Sequence, residues 1–103
     1  MQKDKNITEV IFRRFKEGDA IALFPYDIAT LHEGYVNSYQ HIGQHSGADL
    51  GIIKETKPAS LSESDIAMLY NELTNIGYNL KIIKRVNYNH YTHELDRIRF
   101  KFA

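Results

Sequence analysis

The clustering of apolar positions near the start of the chain predicts a β-hairpin. Two apolar runs rich in β-branched and aromatic residues, 10–15 and 20–24, flank a turn that contains Gly18. Pro25 follows the second run and, because it has no N–H to donate to a strand ladder, we expect it to end that strand. Residues 35–41 have an alternating pattern with polar residues on both faces, and this pattern predicts a third strand.

The clearest element in the sequence is a helix over 60–76. Ser60 and Glu63 have the spacing of a capping box, and Gly77 is placed to end the helix in a left-handed conformation. One face of the segment is apolar with helical spacing, at Ile66, Leu69, Leu73 and Ile76. The alternation that follows predicts a strand over 78–86, whose core-facing residues are Tyr78, Leu80 and Ile82.

Two further segments can be interpreted less directly from the pattern. Residues 50–54 are a candidate for a short further strand. Near the end of the chain, Ile98, Phe100 and Phe102 alternate with basic residues, as in a strand, whereas 93–98 would equally suit the start of a helix.

The order of these elements predicts an α+β fold. We expect a small antiparallel sheet of about four or five strands, with one amphipathic helix packed on one face. Residues 8–86 would form the single domain, preceded by a flexible N-terminus over 1–7. Residues 87–103 would be a C-terminal extension, a strand or a short helix packed on that domain.

Composition narrows the class of protein. A chain of 103 residues has room for one domain, and the absence of cysteine excludes disulfides, thiolate metal sites and a cysteine nucleophile. It also indicates a reducing compartment, which we take to be the cytoplasm of a host cell. Thirteen basic and thirteen acidic residues cancel, so nucleic acid is not an expected partner. No apolar run approaches the roughly 20 residues that span a bilayer, and we expect no membrane partner.

The segment 38–49 holds the densest group of polar side chains in the chain. It contains two histidines, two glutamines, a tyrosine and an aspartate, with two glycines that allow the backbone to approach a ligand closely. A polar edge strand followed by a solvated loop would have the same composition. We expect a polar ligand to bind here, with charge supplied from the first hairpin; the candidate residues are Tyr39, Gln40, His41, Gln44, His45, Asp49, Arg13 and Arg14.

The histidines also raise the question of a metal site. His41 and His45 have the spacing of a helical zinc motif, but Gly43 and Gly47 disfavour a helix there. His90 and His93 form a second pair, in a segment without a clear fold. Zinc sites usually need three or four converging ligands, so ordinary hydrogen-bonded histidines are the expectation and no metal or other cofactor is assigned.

Catalysis and nucleic-acid binding are two more functions that these residue types would suit. A phosphodiesterase or nuclease would use His41 and His45 as general base and acid, with Arg13 or Arg14 on the phosphate. The sequence holds a single H-x-T and no Walker or G-x-S-x-G motif, and we assign no catalytic residue. Basic residues on two predicted strands would suit a nucleic-acid surface, although a solvated sheet face explains them equally.

Several of these segments resemble a group of short, mostly uncharacterised proteins of phages and mobile elements of gut bacteria. The resemblance covers about residues 8–86 and includes the runs 10–15 and 20–25. It also includes an E-L followed by I-G-Y-x-L-K over 72–81, and its most specific part is S-Y-x-H-x-G-Q-H over 38–45.

The resemblance implies a biological setting more than a reaction. Small phage proteins act stoichiometrically on host machinery: some block a defence protein, and others hold a cyclic or ADP-ribose-type nucleotide between identical subunits. We therefore expect a non-enzymatic, homo-oligomeric binding protein that sequesters a nucleotide-like ligand, with counter-defence as its candidate role. A protein-interaction module that inhibits a host protein, and a small histidine-dependent phosphodiesterase or nuclease, remain open alternatives.

Overall fold

Six strands form one sheet in the computed structural model, which describes residues 7–29, 34–40 and 44–102. They are β1 (Ile7–Arg14), β2 (Ala20–Ile28), β3 (Tyr35–Gln40), β4 (Gln44–Asp49), β5 (Lys57–Pro58) and β6 (Asn79–Ile82). The first four are antiparallel neighbours in the order β4-β3-β2-β1. β1 also pairs with β5 in antiparallel fashion and with β6 in parallel fashion.

The two faces of the sheet are covered by different elements. Helix α1 (Ser64–Ile76) packs Ile66, Leu69 and Leu73 on one face, against a cluster that includes Val10, Phe12, Ala22, Phe24 and Tyr39. Helix α2 (Tyr88–Phe102) and a short 3-10 helix (Leu50–Glu55) pack on buried residues of the other face. The predicted α+β class is confirmed, and the structure adds a second helix. No helix in the described residues has the length and apolar character that crossing a bilayer requires.

The predicted hairpin is present, but its second strand is longer than expected. Ile11 lies opposite Leu23 and Arg14 opposite Ala20, with Gly18 in the turn at a φ of 110°. The expectation that Pro25 ends the strand is wrong, because β2 continues to Ile28. The pairing register shifts between Phe24 and Ile28, and an irregularity of this kind accommodates a residue that has no N–H to donate.

The strand expected over 50–54 is a 3-10 helix, because local side chains satisfy its backbone. The Asp49 carboxylate accepts a hydrogen bond from the Gly51 N–H at 2.8 Å, at the start of this helix. The Thr56 hydroxyl donates to the Ile52 carbonyl at 2.8 Å, at its end. Asp and Thr compete in this way with the strand ladder, and the apolar pattern alone does not reveal it.

Helix α1 begins four residues later than predicted. The Glu63 carboxylate does accept from the Ser60 N–H at 2.9 Å, as in a capping box, but the Ser60 hydroxyl lies 3.0 Å from that of Ser62. The helix therefore starts at Ser64, after Glu63. Its end is as predicted: Gly77 has a φ of 124°, and its N–H donates to the Leu73 carbonyl at 3.2 Å.

The end of the chain is helical, which is one of the two structures that its pattern allowed; the other, a strand, is wrong. Tyr91 and Leu95, one helical turn apart, are 3% and 2% exposed and pack with Val36 and Leu50. Two buried residues four apart are typical of a helix. Their packing outweighs the strand-like alternation of apolar and basic residues from Ile98 onward.

Candidate ligand-binding cavity

A gap opens beside β1 because two strands share its outer edge. The Ile83 N–H, just after β6, donates to the Val10 carbonyl at 2.9 Å, and the Ala59 N–H, just after β5, donates to the Phe12 carbonyl at 3.2 Å. Alternate residues of a strand point their carbonyls toward the same neighbour, so β5 and β6 lie on one edge of β1. β6 pairs with Ile7–Val10 and β5 with Arg13–Arg14, and the cavity is lined by residues at and next to both strands.

This cavity has a volume of about 770 Å³, within the range of small-molecule sites. Its lining combines an apolar floor with basic residues at the wall and rim. The apolar members are Ile11, Phe12, Ile53, Pro58, Ala59, Ile82, Ile83 and Val86, and the polar ones are Arg13, Ser60, Lys84, Arg85 and Tyr88. None of these lining residues is an aspartate or a glutamate, so the cavity is positively charged.

Arg13 is the buried cation of the cavity. Its side chain crosses from β1 to the end of the 3-10 helix, where Nε donates to Thr56 Oγ1 at 2.9 Å and Nη2 donates to the Ile53 carbonyl at 2.8 Å and the Thr56 carbonyl at 2.5 Å. All of these acceptors are uncharged. Burial lowers the pKa of the Arg13 guanidinium because the charged form loses hydration. The guanidinium remains charged at neutral pH. No carboxylate among the described residues forms an ion pair with it.

The remaining cations of the cavity, Lys84 and Arg85, lie between β6 and α2. Both are exposed, as is Tyr88 at the start of α2. The sequence pattern indicates Lys84 and Arg85 only as members of a nucleic-acid surface and misses their place beside a cavity. The part of the sequence that could have indicated this position is 82–86, where apolar and basic residues follow one another from the last residue of β6 onward. Nothing in that stretch indicates that β5 lies across the gap.

The residues predicted from the segment 38–49 have several different positions. Tyr39 is 2% exposed in the core beneath α1, and its hydroxyl donates to Glu72 Oε1 at 2.9 Å. Gln40 is half-buried and lines a separate cavity of about 340 Å³ together with Asp65. Asp49 starts the 3-10 helix. Each of these side chains therefore has a neighbour within the fold, and its assignment to a ligand stays a prediction.

The remaining residues of that segment are described only in part. His41 lies outside the described residues. Gln44 and His45 belong to β4, where His45 is in register with Tyr39 of β3. As ligand-binding residues they stay predictions. Among the predicted residues whose side chains the structure describes, Arg13 alone lines the cavity of about 770 Å³.

Arg14 points away from that cavity and connects β1 to the start of α1. Its Nη2 lies 2.5 Å from Glu63 Oε1 and 2.7 Å from Asp65 Oδ1, and its Nη1 donates to Asp65 Oδ2 at 2.8 Å. The hydrogen bonds from Arg14 lower the pKa of both carboxyls and raise that of the guanidinium. In the fold, Arg14 thus holds the first turn of the helix against the sheet.

This cluster predicts a loss of stability in acid. Both carboxyl pKa values lie below their ordinary values of 4.5 and 3.8, so the ion pairs contribute fully above about pH 5. That contribution is lost as the pH falls through the folded-state values. We expect the melting temperature of the wild type to exceed that of Arg14→Met at neutral pH, and the difference to shrink below about pH 4, as measured by circular dichroism.

A matched variant tests whether the effect belongs to this cluster. Arg97 is exposed and pairs with Glu94 at 2.8 Å within α2. Arg97→Met should melt close to the wild type and follow the same pH dependence. If the difference between the wild type and Arg14→Met stayed constant from about pH 7 to about pH 3, the ion pairs would not be its cause.

The histidines at the start of α2 have ordinary surroundings. His90 stacks on Tyr26 with ring centroids 4.0 Å apart, and His93 is exposed. Within the part of the chain that the structure describes, no three histidine, aspartate or glutamate residues are placed to hold a metal ion. Comparison of the chain with known protein families, characterised proteins and solved structures gave no match, so its function is inferred from the cavity itself.

Proposed function

We propose that this protein is a non-enzymatic binding protein that sequesters an anionic, nucleotide-like small molecule in the cavity beside β1. The observation that supports this most directly is the combination of an apolar floor with three cations, Arg13, Lys84 and Arg85, and no carboxylate among the lining residues. A nucleotide has the matching parts. Its base is a flat, largely apolar ring, and its phosphate is an oxyanion that guanidinium and ammonium groups bind well.

The chemistry of the lining favours binding over turnover. General acid–base catalysis most often uses histidine, and the lining residues include no histidine, glutamate or aspartate; of the less common acid–base groups they hold Lys84 and Tyr88. The hydroxyls of Ser60 and Tyr88 can donate hydrogen bonds to a ligand, which contributes to recognition.

The biological setting that we propose for this activity is the one that the resemblance to phage and mobile-element proteins implies. A protein made in a host cytoplasm that removes a nucleotide signal would act against a host defence that depends on that signal. Such a protein acts stoichiometrically, and the resemblance implies one that holds its nucleotide between identical subunits. Homo-oligomerisation is therefore part of the proposal, and a mass measurement in solution tests it.

Depletion of a nucleotide from solution tests the proposed function. An excess of the purified protein is mixed with cyclic AMP or with ADP-ribose. The protein is then removed by ultrafiltration, and the nucleotide that remains free in the filtrate is measured by chromatography. We expect the free concentration of at least one of them to fall, and heating of the retained protein to return that nucleotide intact. Recovery of a hydrolysed product would identify an enzyme instead. If neither nucleotide were depleted, the proposal of a nucleotide-binding protein would be wrong.

A further inference from the structure

One nitrogen of the buried Arg13 side chain is available to a ligand. Nε and Nη2 donate to Thr56 and Ile53, whereas Nη1 makes no hydrogen bond to any described part of the chain. Among the same residues, no buried side-chain nitrogen or oxygen lacks a partner. Nη1 is therefore not buried and must border open space. Since Arg13 is only 9% exposed and lines the cavity, we take that space to be the cavity.

We infer that Arg13 is the residue that recognises the anionic group of the ligand, and that the ligand binds with this group innermost. The inference rests on the proposed function and adds the orientation of the ligand and the group that selects it. The two N–H donors of Nη1 would bind an oxyanion, which in a nucleotide is a phosphate. The rest of the ligand would then lie along the apolar floor toward Ile82 and Tyr88.

The surroundings of Arg13 suit this task better than those of the exposed cations. Its guanidinium is already held by Thr56, so little side-chain entropy is lost when an anion binds. Lys84 and Arg85 are exposed, and their attraction for an anion is screened by salt. Arg13 would therefore select for the anionic group, while Lys84 and Arg85 would draw anions toward the opening. Thr56 is a positioning residue, because it acts on the ligand only through Arg13.

Comparison of AMP with adenosine tests the inference, because the two differ only in the phosphate. Isothermal titration of the full chain at about 0.15 M salt should show that AMP binds more tightly, by on the order of tenfold, as for a hydrogen bond between charged groups. In Arg13→Met the affinity for AMP should fall to that for adenosine, and the affinity for adenosine should stay unchanged.

The outcomes separate the inference from the proposed function. If neither AMP nor adenosine bound the wild type, the inference about Arg13 would be overturned, while the depletion of cyclic AMP or ADP-ribose would decide the proposed function separately. If both bound the wild type equally, or if Arg13→Met kept the preference for AMP, only the assignment of Arg13 would be wrong.

A second pair of variants covers the case in which Arg13→Met does not fold. Thr56→Val keeps the charge of Arg13 but removes the acceptor of its Nε, and it should reduce the preference for AMP several-fold. Thr56→Ser retains the hydroxyl and should retain the preference. An equal preference for AMP in Thr56→Val and Thr56→Ser would show that the orientation of Arg13 does not select the ligand.

Discussion

Replacement of Phe24 by alanine should lower the free energy of unfolding by about 3–5 kcal/mol. Phe24 is fully buried in the middle of β2, where it packs among the core residues beneath α1. Its ring also stacks on Tyr78, with centroids 5.2 Å apart and planes within 10°. Alanine would remove the ring from the core and leave a cavity, and the stacked pair would be lost as well. Urea denaturation followed by circular dichroism measures the change.

Phe100→Ala is the matched control for this prediction. The chemical change is the same, but Phe100 is 88% exposed on α2 and has little buried surface to lose. Its free energy of unfolding should therefore stay within about 0.5 kcal/mol of the wild type. If the two variants lost similar amounts of stability, Phe24 would not be the core residue that the packing indicates.

The elements that could be predicted from the sequence are those whose signals are local. The first hairpin follows from two apolar runs on either side of Gly18, and α1 follows from an apolar stripe that ends at Gly77. In each case the residues that decide the structure are close in sequence. The pattern of the hairpin therefore predicts the correct pairing of β1 with β2 without any knowledge of the rest of the chain.

The elements that could not be predicted depend on distant partners or on individual side chains. The 3-10 helix forms because Asp49 and Thr56 bond to its backbone, and α2 forms because Tyr91 and Leu95 meet Val36 and Leu50 across the sheet. The pattern of apolar residues along the sequence indicates neither these hydrogen bonds nor this packing. The pattern therefore predicts a strand over 50–54 and allows either a strand or a helix at the end of the chain.

The cavity is the clearest example of information that a linear pattern lacks. It exists because residues near 59 and near 83 reach the same edge of β1, at Val10 and Phe12. Arg13 was a candidate because of its charge, but its position depends on Thr56 and Ile53, which lie 43 and 40 residues further along the chain. The polar composition of 38–49 indicates a ligand site in that segment, whereas the basic residues 84 and 85 are equally typical of a solvent-exposed sheet face.

Reversal of charge at Lys84 and Arg85 should weaken binding of ADP-ribose by about tenfold at about 0.15 M salt. The double variant Lys84→Glu, Arg85→Glu removes two attractive charges from the opening of the cavity and places two carboxylates there, where they repel an anionic ligand that enters and binds further in at Arg13. Salt screens part of this repulsion because both positions are exposed, and a cost of about 1.4 kcal/mol corresponds to tenfold in Kd. Both side chains are exposed, so the fold should remain stable. Equilibrium binding measured by isothermal titration gives the ratio.

Two further variants make this result specific to the cavity. Lys16→Glu, Arg97→Glu changes the net charge by the same amount on exposed residues that do not line the cavity, and it should bind ADP-ribose within a few-fold of the wild type. His45→Ala tests the segment 38–49 instead. If His45→Ala abolished binding while the reversal at Lys84 and Arg85 left it intact, the ligand site would lie at that segment and not beside β1. Loss of binding in the Lys84 and Arg85 variant alone would instead support the cavity, because only there do the added carboxylates meet the ligand.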